Sequence, residues 1–198
     1  MIADPVTRWI FTALFVAIAG YLAYRAVAER KRPVQAIGDW LHVAMALVMA
    51  AMAWRFWRML PWTAQLVFFS AATVWFVAVA VAMRLGRLER RRLHHPAWHQ
   101  VVHSVMMASM AWMVAVMPPG SHHRMMTMPE LVSGYVLTIA MLVAAVAFAV
   151  DAVRKRQRGH RHGTVLDHGT VLHHGTVLDT MVMIAMLLGM SWMNWLMF

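Results

Sequence analysis

Cysteine is absent from this 198-residue chain, and acidic residues are few, with 8 Asp and Glu against 18 Lys and Arg. The first absence excludes disulfides, thiolate zinc sites and cysteine nucleophiles, and leaves the redox compartment open. Charge of either sign is scarce, at 13% of residues, while 62% are hydrophobic. That balance is the profile of an integral membrane protein. The patterns of common enzyme chemistry are missing too. There is no nucleophile–base arrangement, no phosphate loop, no zinc-protease motif, and no second carboxylate beside Asp39 or Asp179 in sequence. An enzyme is therefore not expected. The formal charge of +10 would suit nucleic acid, but the basic residues sit in short loops between apolar runs. They read as topology signals, and no nucleic-acid partner is expected.

Six apolar runs are present, at about Thr7–Val27, Gly38–Trp57, Trp62–Met83, His99–Met117, Leu131–Val150 and Asp179–Met197. Each is near the roughly 20 residues that a bilayer requires. The expected fold is all-α: a polytopic membrane protein of six transmembrane helices arranged as three hairpins. It forms a single integral domain over 1–198, with the lipid bilayer as its partner and the cell (plasma) membrane as its place. The first run lacks a basic start and a cleavage site, so it reads as a retained span. Arg25, Arg30, Lys31 and Arg32 follow span one, Arg84 and Arg87 to Arg92 follow span three, and Arg154 to Arg161 follow span five. These clusters belong on the cytoplasmic side, which places both termini outside. Trp9, Trp54, Trp57, Trp62 and Trp195 then mark the outer boundary, with Trp40 and Trp98 at the inner one.

Methionine is abundant, at 21 residues, and most of it is ordered. The second run carries His42, Met45, Met49 and Met52. The fourth carries His99, His103, Met106, Met110, Met113 and Met117. The sixth carries Asp179, Met183, Met186, Met190, Met193 and Met197. The alternating spacing of three and four keeps each row on one narrow helical stripe. The intervening runs hold only Met83 and Met141. Apolarity alone does not explain a choice of methionine on alternate spans.

The expected topology makes the three ladder spans parallel, and their spacings align as layers. His42, His103 and Met183 form one, and Met45, Met106 and Met186 the next. Met49, Met110 and Met190 follow, then Met52, Met113 and Met193, with Met117 and Met197 at the outer end. If the stripes face each other they form a three-stranded core, with layers about 5 Å apart. Thioether sulfur is soft, uncharged and suited to copper(I). Asp39, His99 and Asp179 offer harder donors at the inner end. Outside, His122, His123, Met125, Met126 and Met128 lie together between spans four and five. The leading expectation is thus a copper(I)-binding, copper-translocating membrane protein. Two alternatives stand beside it. His42 and His103 suit the axial ligands of a haem electron-transfer protein. The stripes also suit plain packing in a structural subunit of a membrane complex, since methionine fills irregular cores well. Oligomeric state and any protein partner stay open.

A second repeat is a tandem of His-Gly-Thr-Val-Leu units beginning at His162, His168 and His174. It reads as a histidine-rich cytoplasmic loop over 155–178, either a local expansion or a metal buffer.

Two resemblances rest on these residues. The run from Asp39 through His42, Met45 and Met49 to Met52, with His99, His103, Met106 and Met107, resembles an actinobacterial family of multi-pass proteins, a domain-of-unknown-function family. That resemblance implies a helical membrane fold and no established activity. Separately, Met45 with Met49, Met106 with Met110, and Met186 with Met190 resemble the Met-x-x-x-Met signature of copper-uptake transporters. Those transporters stack methionine rings around a threefold axis. Here one chain supplies all three pairs, over six spans rather than three.

Overall fold

The computed structural model describes residues 4–28, 33–54, 60–86, 97–116, 127–161 and 170–195. These form six helices in chain order: α1 (Pro5–Ala28), α2 (Pro33–Met52), α3 (Trp62–Arg84), α4 (Ala97–Val116), α5 (Met128–Arg161) and α6 (Thr170–Trp195). No strand occurs among the described residues. Five segments are long and apolar enough to cross a membrane: Pro5–Ala28, Val34–Met52, Trp62–Arg84, Trp98–Val116 and Met128–Arg154. The protein is a polytopic helical membrane protein, and α6 covers most of the sixth apolar run.

Local chemistry starts and stops these helices. Asp4 caps α1, accepting from the backbone N–H of Thr7 at 2.8 Å, and Pro5 takes the first helical position. Glu130 accepts from the backbone N–H of Thr127 at 2.7 Å, one half of a capping box at the start of α5. Beyond α3, Gly86 adopts φ 68° while its N–H reaches the Met83 carbonyl at 3.3 Å. A left-handed residue there closes the helix end, and glycine adopts it without a Cβ clash.

The most extensive contacts join α1 with α2, α3 with α4 and α5 with α6, and α4 also packs on α5. These are three successive hairpins. Of the five apolar segments, α4 is the most enclosed, while α3 and α5 are the least. On α5, Val132, Val136, Ile139, Val143, Val146 and Val150 are exposed. A continuous apolar stripe of this kind faces lipid in a membrane protein.

Two boundaries differ from the sequence expectation. Helix α5 continues past Val150 to Arg161, and α6 begins at Thr170, inside the His-Gly-Thr-Val-Leu tandem. The expected 155–178 loop is therefore helical at both ends, and 162–169 lie outside the described residues. Arg, Lys and Gln are good helix formers, and cations are favourable near a helix C-terminus. A hydropathy boundary marks where lipid ends, not where the helix must end.

Several helix pairs are stitched near the end expected to face outward. Trp54 Nε1 donates to Thr12 Oγ1 at 2.8 Å, joining the end of α2 to α1. Trp62 Nε1 donates to the Val114 carbonyl at 2.6 Å, joining α3 to α4. Trp112 Nε1 donates to Ser133 Oγ at 2.9 Å, and Asn194 Nδ2 to Thr138 Oγ1 at 2.9 Å, joining α4 and α6 to α5. Trp54 and Trp62 thus do more than sit at a lipid boundary. Their indole N–H groups are satisfied by neighbouring helices, where water is scarce.

Candidate metal centre

The ladder faces of α2, α4 and α6 turn inward. Met45, Met49, Met106, Met110, Met186 and Met190 are fully enclosed, and Met52, Met113, Met183 and Met193 are buried with them in one continuous core. Each stripe buries itself because its helix presents one apolar face at 3.6-residue periodicity. Met107 of α4 and Met141 of α5 join the same core. Neither belongs to a ladder. Met141 had one signal, as the only methionine well inside an otherwise methionine-poor span. Met128 opens α5 and is exposed, away from this core. Met117, Met197, His122, His123, Met125 and Met126 lie outside the described residues.

At the inner end of the ladders the histidines meet. The rings of His42 on α2 and His103 on α4 pack edge to face with centroids 4.5 Å apart. Phe76 of α3 closes on both, at 5.4 Å and 5.3 Å. A cavity of about 50 Å³ lies here, and its walls include His42, His103 and Met183, the first expected layer, with Asp39, His99 and Asp179. His99 is held against Trp98 and Phe148 at ring distances of 4.1 Å and 4.5 Å. The spacings explain this second group. Asp39, His99 and Asp179 each sit about one helical turn before His42, His103 and Met183 on the same faces. The donors therefore grade along the bundle, from carboxylate and imidazole to thioether.

His42 has a fixed tautomer. Its Nδ1 lies 2.7 Å from the Gly38 carbonyl, one turn earlier on α2. A carbonyl only accepts, so Nδ1 carries the hydrogen, and in the neutral ring Nε2 keeps a lone pair. That Nε2 is buried and has no hydrogen-bond partner among the described residues. Backbone-held Nδ1–H with an open Nε2 is the arrangement that orients metal-binding histidines.

Arg25 of α1 builds the electrostatics. Its Nε donates to Asp39 Oδ2 at 2.9 Å, and Nη2 pairs with Asp39 Oδ1. Nη1 pairs with Asp179 Oδ1 at 2.6 Å, and the Tyr21 hydroxyl donates to that same oxygen at 2.5 Å. Arg25 is thus not only a topology charge following span one. It is a buried guanidinium shared by two carboxylates, and it ties α1 to the inner ends of α2 and α6. Burial of such ions is tolerated because every charge is paired and hydrogen-bonded.

Among the described residues, no group of three or more His, Asp or Glu side chains is arranged to hold a metal ion. The thioether and imidazole groups of this core are of the donor type that suits a soft ion.

Uncharacterized proteins of Mycobacterium tuberculosis and Mycobacterium bovis are each 38% identical to the chain over 119 residues, covering 60% of this chain and 53% of theirs. The chain thus spans about half the length of these curated relatives. No solved structure matches it. The family described as Domain of unknown function (DUF5134) matches residues 34–197, a stretch that takes in all three ladders and the cavity histidines His42, His99 and His103, and the chain belongs to that family.

Proposed function

We propose that the protein binds copper(I) in the plasma membrane and passes it along stacked methionine layers. The observation that carries this reading is the open, buried Nε2 of His42, beside His103 and on the wall shared with Met183. It stands at the mouth of a core in which Met45, Met106 and Met186 are fully enclosed. His42, His103 and Met183 would hold the ion at the inner end, and successive thioethers would take it by ligand exchange. An uncharged thioether binds a soft monovalent ion without adding charge to the bilayer interior. No fully bare ion then crosses lipid. The Met-x-x-x-Met resemblance to copper-uptake transporters is an analogy of chemistry that supports the same reading.

The haem alternative is less well supported. A cavity of about 50 Å³ is far below the roughly 300–1,000 Å³ of small-molecule pockets. Ring centroids 4.5 Å apart leave no room for an iron and its porphyrin plane between His42 and His103.

X-ray absorption of the copper(I)-loaded protein tests the proposal. A first shell of mixed sulfur and nitrogen is expected, with the nitrogen share falling in His42→Leu. A shell of oxygen and nitrogen only, or a spectrum unchanged by that substitution, would contradict it.

A further inference from the structure

The Arg25 cluster in the cavity wall has two arms that are built differently. Toward Asp39 the guanidinium makes a fork, Nε to Oδ2 at 2.9 Å and Nη2 to Oδ1. Both residues belong to the hairpin of α1 and α2, and the Asp39 side chain is only 5% exposed. The other arm crosses from α1 to α6. There Nη1 meets Asp179 Oδ1 at 2.6 Å, and the Tyr21 hydroxyl donates to that same oxygen. The Asp179 side chain is 18% exposed, so water reaches it. A two-bonded fork sealed in the interior holds firmly. A pair at the edge of solvent can exchange its partner for water at lower cost.

Helix α6 meets α1 at a second point that differs in kind. About ten residues on, or roughly 15 Å along the helix, Gly189 lies against the enclosed ring of Phe15. That contact is close-packed and apolar, and opening it would leave a void. Met183, on the cavity wall, lies between the packed point and the ion pair. We propose that the Asp179 arm is a gate latch. Its release lets the inner end of α6 swing from α1 about the Gly189 contact, and opens the cavity with Met183 and His42 toward the side on which Asp179 lies. Arg25 stays on Asp39, so no unpaired guanidinium is left in the interior. Tyr21 sets how readily the latch releases, because it holds the shared oxygen. Closed, the latch shields the thioether and imidazoles of the cavity from bulk water. The proposal rests on the copper reading only for the cargo that passes.

Because the chain has no cysteine, one introduced thiol reports access. Met183→Cys places it on the cavity wall, and Met193→Cys places it beyond Gly189 on the same helix. The full-length protein, in oriented membrane vesicles, is labelled with a charged, membrane-impermeant methanethiosulfonate added to either face. Adding Asp179→Asn to Met183→Cys is expected to speed labelling from the Asp179 side by at least about tenfold, equivalent to about 1.4 kcal/mol in the opening equilibrium. Tyr21→Phe should give a smaller rise from the same side. Labelling of Met193→Cys from the other face should not change. No acceleration in a folded Asp179→Asn protein would overturn the proposal. So would an equal rise at Met183 and Met193, which reports general loosening and not a gate. Should Asp179→Asn fail to fold, Tyr21→Phe decides, since it removes one hydroxyl only: a one-sided rise at Met183 supports the latch, and an unchanged rate overturns it. Copper takes no part in the labelling, so failure of the latch and failure of the copper reading are separate results.

Discussion

Replacing Gly189 by alanine tests whether α6 sits where the ladder requires it. A Cβ built at Gly189 would lie 2.7 Å from Phe15 Cζ, with Cε2 and Cε1 at 3.4 Å and 3.6 Å. Ordinary carbon contacts begin near about 3.5 Å, so the ring tip must retreat by about 1 Å. Phe15 is fully enclosed, so its ring tip must move within the core. Overpacking of this kind costs about 1–3 kcal/mol, and alanine inside a helix regains about 0.5–1 kcal/mol over glycine, so a net loss of up to about 2 kcal/mol is expected within α6. Thermal or denaturant unfolding in micelles reads the loss. Phe15→Leu removes the Cζ atom, so the double variant should lose less than the two single losses added together. Coupling of at least about 0.5 kcal/mol is expected for residues in contact. A stabilising Gly189→Ala, or strict additivity with Phe15→Leu, would refute the close approach of α6 to α1. The inward direction of the Met183, Met186 and Met190 face would then lose its support.

Other outcomes follow from the same packing. Trp112→Phe and Ser133→Ala each break the indole–hydroxyl bond between α4 and α5. Ser133→Ala should cost about 0.6 kcal/mol in unfolding free energy; Trp112→Phe should cost more, because Trp112 also packs against the core, and the double variant should lose no more than Trp112→Phe alone. Asn194 is fully buried, and its Oδ1 has no hydrogen-bond partner among the described residues. Asn194→Leu should therefore be neutral or stabilising in unfolding assays; a loss above about 1 kcal/mol would show that its bond to Thr138 dominates. Met45→Ala or Met186→Ala should cost about 2–5 kcal/mol as cavities in an enclosed core. The leucine variants should cost under about 1.5 kcal/mol, because volume is kept. Similar losses for alanine and leucine would mean that these side chains are not packed as described.

Much of the fold was legible because lipid imposes simple rules. Apolar runs of sufficient length predict helices, and the 3/4 spacing of Met45, Met49 and Met52, or of Met183, Met186 and Met190, predicts one buried face. The structure gives both. The meeting of His42 and His103 was implied by aligning the ladders, and the rings do adjoin. The role of Arg25 was not legible. Standing first in a run of basic residues, it carries the same sequence signal as its neighbours. Its pairing with Asp39 and with the distant Asp179 is a tertiary event. A usable hint was the scarcity of acidic residues, 8 in all, with Asp39 and Asp179 each one turn before a ladder. The helical ends of the 155–178 segment were missed because hydropathy reports lipid contact and not backbone hydrogen bonding. Trp112 and Trp62 could not be told from lipid-boundary tryptophans, since an indole N–H partner is set by the neighbouring helix.

Anaerobic copper(I) titration against a chromogenic competitor is the most direct measurement. It compares wild type with a variant carrying leucine at Met45, Met49, Met106, Met110, Met186 and Met190. Leucine keeps the volume and apolarity of these enclosed positions and removes only the sulfur. The account predicts tight copper(I) binding by wild type that is lost in a folded variant. Equal binding by both proteins, or none by wild type, would contradict it and leave the ladders as a packing device.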